Sequence, residues 1–567
     1  MDEYISFYSS DFLYNAGIVG FINLLENVQA VENDDYIVKG NEFKVKKEFF
    51  LNTDLAQAYI DTCIEKFGGS SAYTRLLGKN TEKIKMLTDK YAEAEDKSIK
   101  KKLDEEYKKL LDVAGLTRSS YITACDILKN KHIDLDLKAE CKNIKAIKDY
   151  NEKYQSLLKL QKKLQDNNCR ETFLMKDIMY SRINSIWSGK SFLNTKNAKK
   201  DIKKIYYSDF IEPVIKYLQK PPKERKSSRY CIVCDAVMSK PIDISFLNDS
   251  ADDMSRKKSA FWNCKPDAQL CPLCAFIYSM APLGFVPMQR DMLFVNDNVN
   301  IRKMQKINNG IKAENEIPED ENDRNLWYQI WNKIIQNIIK NKLKALRNIQ
   351  VVVRKKDTGK YNFNIIAKDI LDLLERSFKY IGYIGNKFIK TPSGINVNIQ
   401  EEVLKNIFRR TDLYAMMNKI LNYSMKENIQ VNFLDNVLQI QQMIVGGKKM
   451  EQDCVTQDDI VNIKAAGKQL RSFAIVDKNG MNADEDGKLR GYAYKLLGAL
   501  RVNDQAKFWQ ILTRMYLGYS KAIPETNVFL KAFKNEDNFK QLGYAYILGL
   551  KDNHKVEKNI KQKTSVE

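Results

Sequence analysis

Two cysteine pairs carry the clearest chemistry in the sequence: Cys231-Ile232-Val233-Cys234 and Cys271-Pro272-Leu273-Cys274. This spacing suits zinc, because each tight knuckle presents two thiolates to one ion and two knuckles complete a tetrahedron. The 36 residues between the pairs (235–270) exceed the usual gap of a zinc ribbon. The expectation is therefore a ribbon or treble-clef-like module with an insert. Four cysteine ligands leave no open coordination position, so the expected Zn2+ is structural rather than catalytic. Cys264, inside the insert, is an alternative ligand with irregular spacing. Cys63, Cys125, Cys141, Cys169 and Cys454 are scattered and read as packing residues.

Other chemistry is poorly supplied. Two histidines, His132 and His554, exclude a three-His metal site or a di-His nuclease motif. Ser188-Gly189-Lys190-Ser191 resembles the end of a phosphate-binding loop, but Asn184 stands where glycine is required. The run from Asp477 to Gly487 has Met481 where a calcium loop needs its third ligand, and reads as a polar turn. Glu319-Asp320-Glu321 reads as acidic residues favoured at a helix N-terminus rather than as a magnesium site.

Charge points to a partner. The chain carries 93 Lys+Arg against 72 Asp+Glu, a formal +21 with pI near 9.2. That excess favours a polyanion, either nucleic acid or an anionic membrane. The membrane reading is weak. Phe12 to Leu25 is too short to span a bilayer, and the uncharged stretch Ala268 to Gln289 contains three prolines that would leave backbone groups unpaired in lipid. The acidic Met1-Asp2-Glu3 start lacks the basic region of a signal peptide, so a cytoplasmic location is expected.

Three basic clusters lie near the cysteines. Lys199, Lys200, Lys203 and Lys204 run into Tyr206 and Tyr207; Lys223, Arg225, Lys226 and Arg229 lead into Cys231; Arg256, Lys257 and Lys258 precede Phe261 and Trp262 in the insert. Lysine and arginine neutralise phosphates, while aromatics stack bases or wedge into a groove. These are the candidate nucleic-acid contacts. For any one of them, a solvated basic surface is the simpler reading.

The elements that must position these residues read mainly as α, with smaller mixed α/β parts, in a multidomain chain. Asp11 to Leu25 reads as a turn into a nearly all-apolar helix. Tyr36 to Phe50 suggests a hairpin about Gly40-Asn41, and Ile349 to Ile366 another about Asp357-Thr358-Gly359. Helical spacing recurs from Lys79 to Leu111, from Ile147 to Leu164 and from Trp327 to Leu346. Asn194 to Tyr230, broken by Pro221-Pro222, reads as an exposed linker. From about Asp412 the chain reads as helical. The expected domains are 1–225 (mixed, helical), 226–290 (an inserted zinc-ribbon-like module), 291–424 (α/β) and 425–567 (a helical bundle).

Three features together resemble a known family. The block Ser10-Asp11-Phe12-Leu13-Tyr14-Asn15-Ala16-Gly17-Ile18-Val19-Gly20-Phe21 is similar to the opening of the large subunit of the type I-B CRISPR interference complex, Cascade. The two cysteine pairs followed by Ala281-Pro282-Leu283-Gly284-Phe285 resemble its zinc module. The C-terminus, through Leu489-Arg490-Gly491-Tyr492 and Phe508-Trp509, looks like its small-subunit-like end.

The resemblance implies a non-enzymatic protein in antiviral defence. It would help hold the crRNA 5′ end, recognise the protospacer-adjacent motif on target double-stranded DNA, and recruit a separate helicase–nuclease. Its further partners would be the Cascade backbone and crRNA-end-binding subunits. A small subunit from an internal start of the same gene, at Met450 or alternatively Met425 or Met443, is also expected. Two other classes fit the composition: a zinc-ribbon nuclease with an unrecognised carboxylate site, and a structural RNA-binding scaffold.

Overall fold

In a computed structural model the chain is described over residues 4–113, 118–220, 229–238, 240–248, 268–288, 291–311, 349–385, 387–390, 396–427, 429, 431–446, 455–477, 480–481 and 483–551. It divides into two compact units: among the described residues the first holds those to 311 with 349–365, and the second those from 366 onward. Both are mainly helical with small sheets, as the sequence predicts.

The first unit is organised around the apolar helix Phe12–Asn27. Asp11 caps it, its carboxylate accepting from the amides of Leu13 at 2.9 Å and Tyr14 at 3.0 Å. Its residues are buried on almost every side, which explains why it shows no polar face. Short helices Pro272–Ser279 and Ala281–Gly284 lie against it. Glycine makes that approach possible: a Cβ on Gly17 would meet the Ile277 carbonyl oxygen at 2.1 Å, and one on Gly284 would meet that of Ala16 at 2.0 Å.

Two sheets flank this centre. Tyr4–Tyr8 and Tyr36–Lys39 each pair antiparallel with Glu42–Lys46, and the predicted turn at Gly40 has φ +61°. The expected strand does not continue to Phe50, because Lys47–Asn52 is a helix. A four-stranded sheet takes the order Val286–Met288, Asp291–Asn296, Ile349–Arg354, Tyr361–Ile366, with the predicted hairpin at its edge. The helices expected over Lys79 to Leu111 and Ile147 to Leu164 form, as Lys79–Glu93, Lys97–Val113 and Tyr150–Leu164, and between them Ser119–Asn130 and Leu137–Ala146 are helical too. The amphipathic run Trp327 to Leu346 lies outside the described residues.

The expected exposed linker over Asn194–Tyr230 is corrected at 202–219, and residues 221–228 of it lie outside the described residues. Ile202–Tyr206, Tyr207–Ile211 and Glu212–Gln219 form consecutive helical segments. They bury Ile202, Tyr206, Phe210, Val214 and Leu218. These recur every fourth residue between the lysines that suggested exposure. At about 3.6 residues per turn a strict four-residue stripe drifts around a helix. The wider π turn at Tyr207–Ile211 takes up part of that drift.

The second unit is the helical end, somewhat longer than predicted. Helices Lys368–Ile384 and Ile399–Arg409 precede Tyr414–Lys426, Leu434–Gly446, Gln457–Ile475, Ala483–Arg501, Gln505–Gly518 and Glu536–Lys551. Leu496, Leu497, Leu500, Phe508, Leu512, Met515, Tyr516, Phe529, Leu542, Tyr546 and Leu548 are buried, whereas Phe533 is half-exposed. Tyr414 stacks on Tyr544 at 5.6 Å, and Asn418 donates to the Leu497 carbonyl and the Tyr544 hydroxyl. Among the described residues no helix is long and apolar enough to cross a membrane.

Candidate metal centre

The first cysteine pair sits on a knuckle closed by backbone bonds. Cys231 N–H donates to the Ala236 carbonyl at 3.0 Å, and Asp235 N–H to the Cys231 carbonyl at 2.9 Å. Asp235 takes φ +55°, a left-handed geometry that aspartate tolerates. The second pair is set by a strand and a helix start. Gln269–Leu270 pairs with Ile242–Asp243, and Cys271 then caps the helix Pro272–Ser279, with Pro272 at its first position. The Cys271 sulfur accepts from the Cys274 amide at 3.4 Å, and Cys274 lies one turn into the helix. Ile232 N–H donates to the Gln269 carbonyl and ties the two halves together.

The fold thus gathers four thiols separated in sequence. All four sulfurs lie within 4.8 Å of one another, with Cys234 and Cys271 3.6 Å apart. Cys231, Cys271 and Cys274 are buried, and Cys234 is exposed. At this separation four thiolates repel, so without a cation the cluster must keep protons shared between its sulfurs. Hydrogen bonds from Cys234, Cys271 and Cys274 hold Cys231 low, while bonding with Cys231 and Cys234 pushes Cys271 and Cys274 up. One metal ion would replace those protons and satisfy all four donors. The set can therefore hold a metal ion.

Residues that sequence reasoning did not assign to the site complete its surroundings. The Tyr14 hydroxyl reaches the Cys274 sulfur at 3.5 Å, and the two rings Tyr14 and Tyr278 pack edge-on at 5.3 Å. Tyr278 donates to Asp11 Oδ2 at 2.5 Å, using the carboxylate that caps the opening helix. No local spacing marks these residues as neighbours of the cysteines. The only sequence signal is the proximity of Asp11 and Tyr14 in the opening block.

The basic candidates are placed unevenly. Lys199 pairs with Asp126 at 3.0 Å and Lys203 with Asp54 at 2.7 Å. Burial raises the Asp54 carboxyl, but bonds from Lys203 and the Gln57 amide outweigh it and hold Asp54 low. Lys199, Lys200, Lys204 and Arg229 are exposed. Lys223, Arg225, Lys226, Arg256, Lys257 and Lys258 lie outside the described residues, as do Cys264, Cys454 and His554. The Ser188–Ser191 stretch is no phosphate loop: it enters a three-residue turn at Ser191–Leu193, and Lys190 lies over the Phe210 ring at 5.5 Å.

A knuckle and a helix start that bring four thiols together define a four-cysteine module able to bind a metal. Residues 224–286, which span both cysteine pairs, match the model of a family of CRISPR-associated proteins, Cas_CXXC_CXXC, and the match supports a role in CRISPR defence. No curated protein and no solved structure matches the chain.

Proposed function

We propose that the chain is the non-catalytic large subunit of a type I-B crRNA-guided DNA-surveillance complex, Cascade. The observation that carries this reading is the match of 224–286 to a CRISPR-associated family. Its support is the packing of the opening block against that module, through Tyr14 and Gly17. In this reading Cys231, Cys234, Cys271 and Cys274 hold one Zn2+, which cross-links knuckle to helix and takes no part in a reaction.

The subunit helps hold the crRNA 5′ end, recognises the protospacer-adjacent motif on duplex DNA and recruits a helicase–nuclease. Base pairing reads the target sequence in such complexes, so the protein needs basic contact surface rather than catalytic groups. The net charge of +21 suits that role. Backbone, crRNA-end-binding and small subunits are its partners, in the cytoplasm.

Reconstitution tests the reading. The full chain is mixed with backbone subunits and crRNA, and binding to duplexes with and without candidate motifs is measured. Motif-dependent binding that requires crRNA is the expected result. Cleavage by the chain alone in Mg2+, lost on mutating one carboxylate, would establish the nuclease instead. RNA binding without any motif dependence would establish the scaffold.

A further inference from the structure

A cleft of about 650 Å³ opens beside the cysteine cluster in the first unit. Four rings line it: Phe12 from the start of the opening helix, Tyr278 from the helix that follows the second cysteine pair, and Tyr361 and Phe363 from the outer strand of the four-stranded sheet. Strand alternation sets Tyr361 and Phe363 on the same face. Phe12 meets both edge-on, with centroids at 5.1 Å and 5.2 Å. The Arg354 guanidinium lies 4.5 Å from the centre of Tyr361 and adds positive charge beside the rings. Phe363 is 50% exposed, and Ile232, between the first two cysteines, is 56% exposed. Large apolar side chains gathered at one cleft mark a binding site more often than a bare surface.

The polar groups narrow the ligand. Lys360 stands in the lining and makes no ion pair among the described residues. Asp11 also lines the cleft, but its carboxylate is already engaged by the Leu13 and Tyr14 amides and the Tyr278 hydroxyl. The cleft therefore offers π faces and an available ammonium, with its one carboxylate occupied. The complement is a flat ring attached to an anion. The volume falls within the roughly 300–1,000 Å³ of small-molecule sites and accommodates a base with its sugar. An aliphatic side chain from a protein would use the rings but not the cation.

We propose that this cleft binds an unpaired nucleobase of single-stranded nucleic acid, stacked on Phe363 with an adjacent phosphate at Lys360. The proposal rests on the reading of the chain as a nucleic-acid-binding subunit. RNA and DNA share this chemistry, and the test separates them.

The full chain is titrated into single-stranded RNA and DNA oligonucleotides carrying 2-aminopurine, whose fluorescence falls when the base stacks. Wild type is compared with Phe363→Leu, which keeps apolar bulk without a ring, and Phe363→Tyr, which keeps the ring. Folding of each variant is checked by circular dichroism. Stacking predicts quenching by wild type and Phe363→Tyr, and affinity lower by about 5- to 150-fold in Phe363→Leu. Stronger quenching of the RNA or the DNA probe identifies the preferred strand. Equal quenching and affinity in Phe363→Leu would overturn the cleft proposal alone. Absence of any salt-dependent oligonucleotide binding by wild type would overturn the nucleic-acid reading as well. If no probe is quenched, yet Phe363→Ala abolishes binding of a backbone subunit that Phe363→Leu retains, the cleft docks protein and the proposal is wrong.

Discussion

The Tyr14 hydroxyl lies 3.5 Å from the Cys274 sulfur, across 260 residues of chain. Burial and the neighbouring thiols push the Tyr14 hydroxyl well above its ordinary range. It therefore stays protonated, and once a metal ion takes the Cys274 proton it is the donor of the pair. Donation to a sulfur fixes that ligand and spreads its negative charge. Tyr14→Phe removes only the hydroxyl, and should weaken metal retention about 10- to 100-fold. Competition with a chromophoric chelator measures this, and circular dichroism shows whether the fold is kept. Unchanged affinity would leave Tyr14 a packing residue.

Metal loss should destabilise the first unit, because Cys231, Cys271 and Cys274 belong to its core. Cys271→Ser is the informative variant. Serine is itself a good helix cap, so the substitution removes a ligand while preserving the cap. One zinc per wild-type chain by elemental analysis, and well under one in the variant with a lower melting temperature, is the expected outcome. Ligand thiolates compete with protons, so wild type should hold its metal at neutral pH and release it as the pH falls.

The glycine contacts predict a steric effect independent of metal. A Cβ at residue 284 falls 2.0 Å from the Ala16 carbonyl oxygen, and the helix backbone has no flexible end to move aside. Gly284→Ala should cost about 1–3 kcal/mol by overpacking. Gly491, exposed on the helix Ala483–Arg501 with no atom within 4 Å of such a Cβ, is the control. There alanine should stabilise by about 0.8–1.0 kcal/mol. Urea unfolding distinguishes the signs.

The lysine cluster should divide by its ion pairs. Each lost phosphate contact lowers the slope of log K against log salt by about 0.9 on duplex DNA. Lys200→Ala with Lys204→Ala should lower the slope on non-specific duplex, because both are exposed and neither forms an ion pair among the described residues. Lys199→Ala with Lys203→Ala should change it less, because Asp126 and Asp54 already balance those charges. Equal effects would show that the acidic partners release their lysines when DNA binds.

An internal start can be weighed against the second unit's packing. Met450 itself lies outside the described residues. A product from Met450 would lack Tyr414, which stacks on Tyr544, and Asn418, which bonds to Leu497 and Tyr544. Starting at Met425 loses the same groups. Either fragment should be less resistant to proteolysis than one beginning at 366, unless a partner covers the exposed face. Expressing the gene with a C-terminal tag shows whether a short product exists, and limited proteolysis compares the fragments.

The sequence by itself determined whatever repeats over a few residues. The cysteine spacing announced the four-cysteine set that can hold a metal, Gly40-Asn41 and Asp357-Thr358-Gly359 placed two hairpins, and helical spacing marked the helices within Lys79 to Leu111 and Ile147 to Leu164. It failed at 202–219, where interleaved lysines hid apolar residues every fourth position. Tertiary structure alone decided that Tyr14 meets Cys274, that Gly284 lies on Ala16, that Asp54 and Asp126 neutralise two of the lysines, and that Phe12 meets Phe363 at the cleft. Local backbone preference acts over one or two turns and leaves a periodic trace. Contacts across hundreds of residues are selected by how helices and strands pack, and no spacing along the chain records that choice.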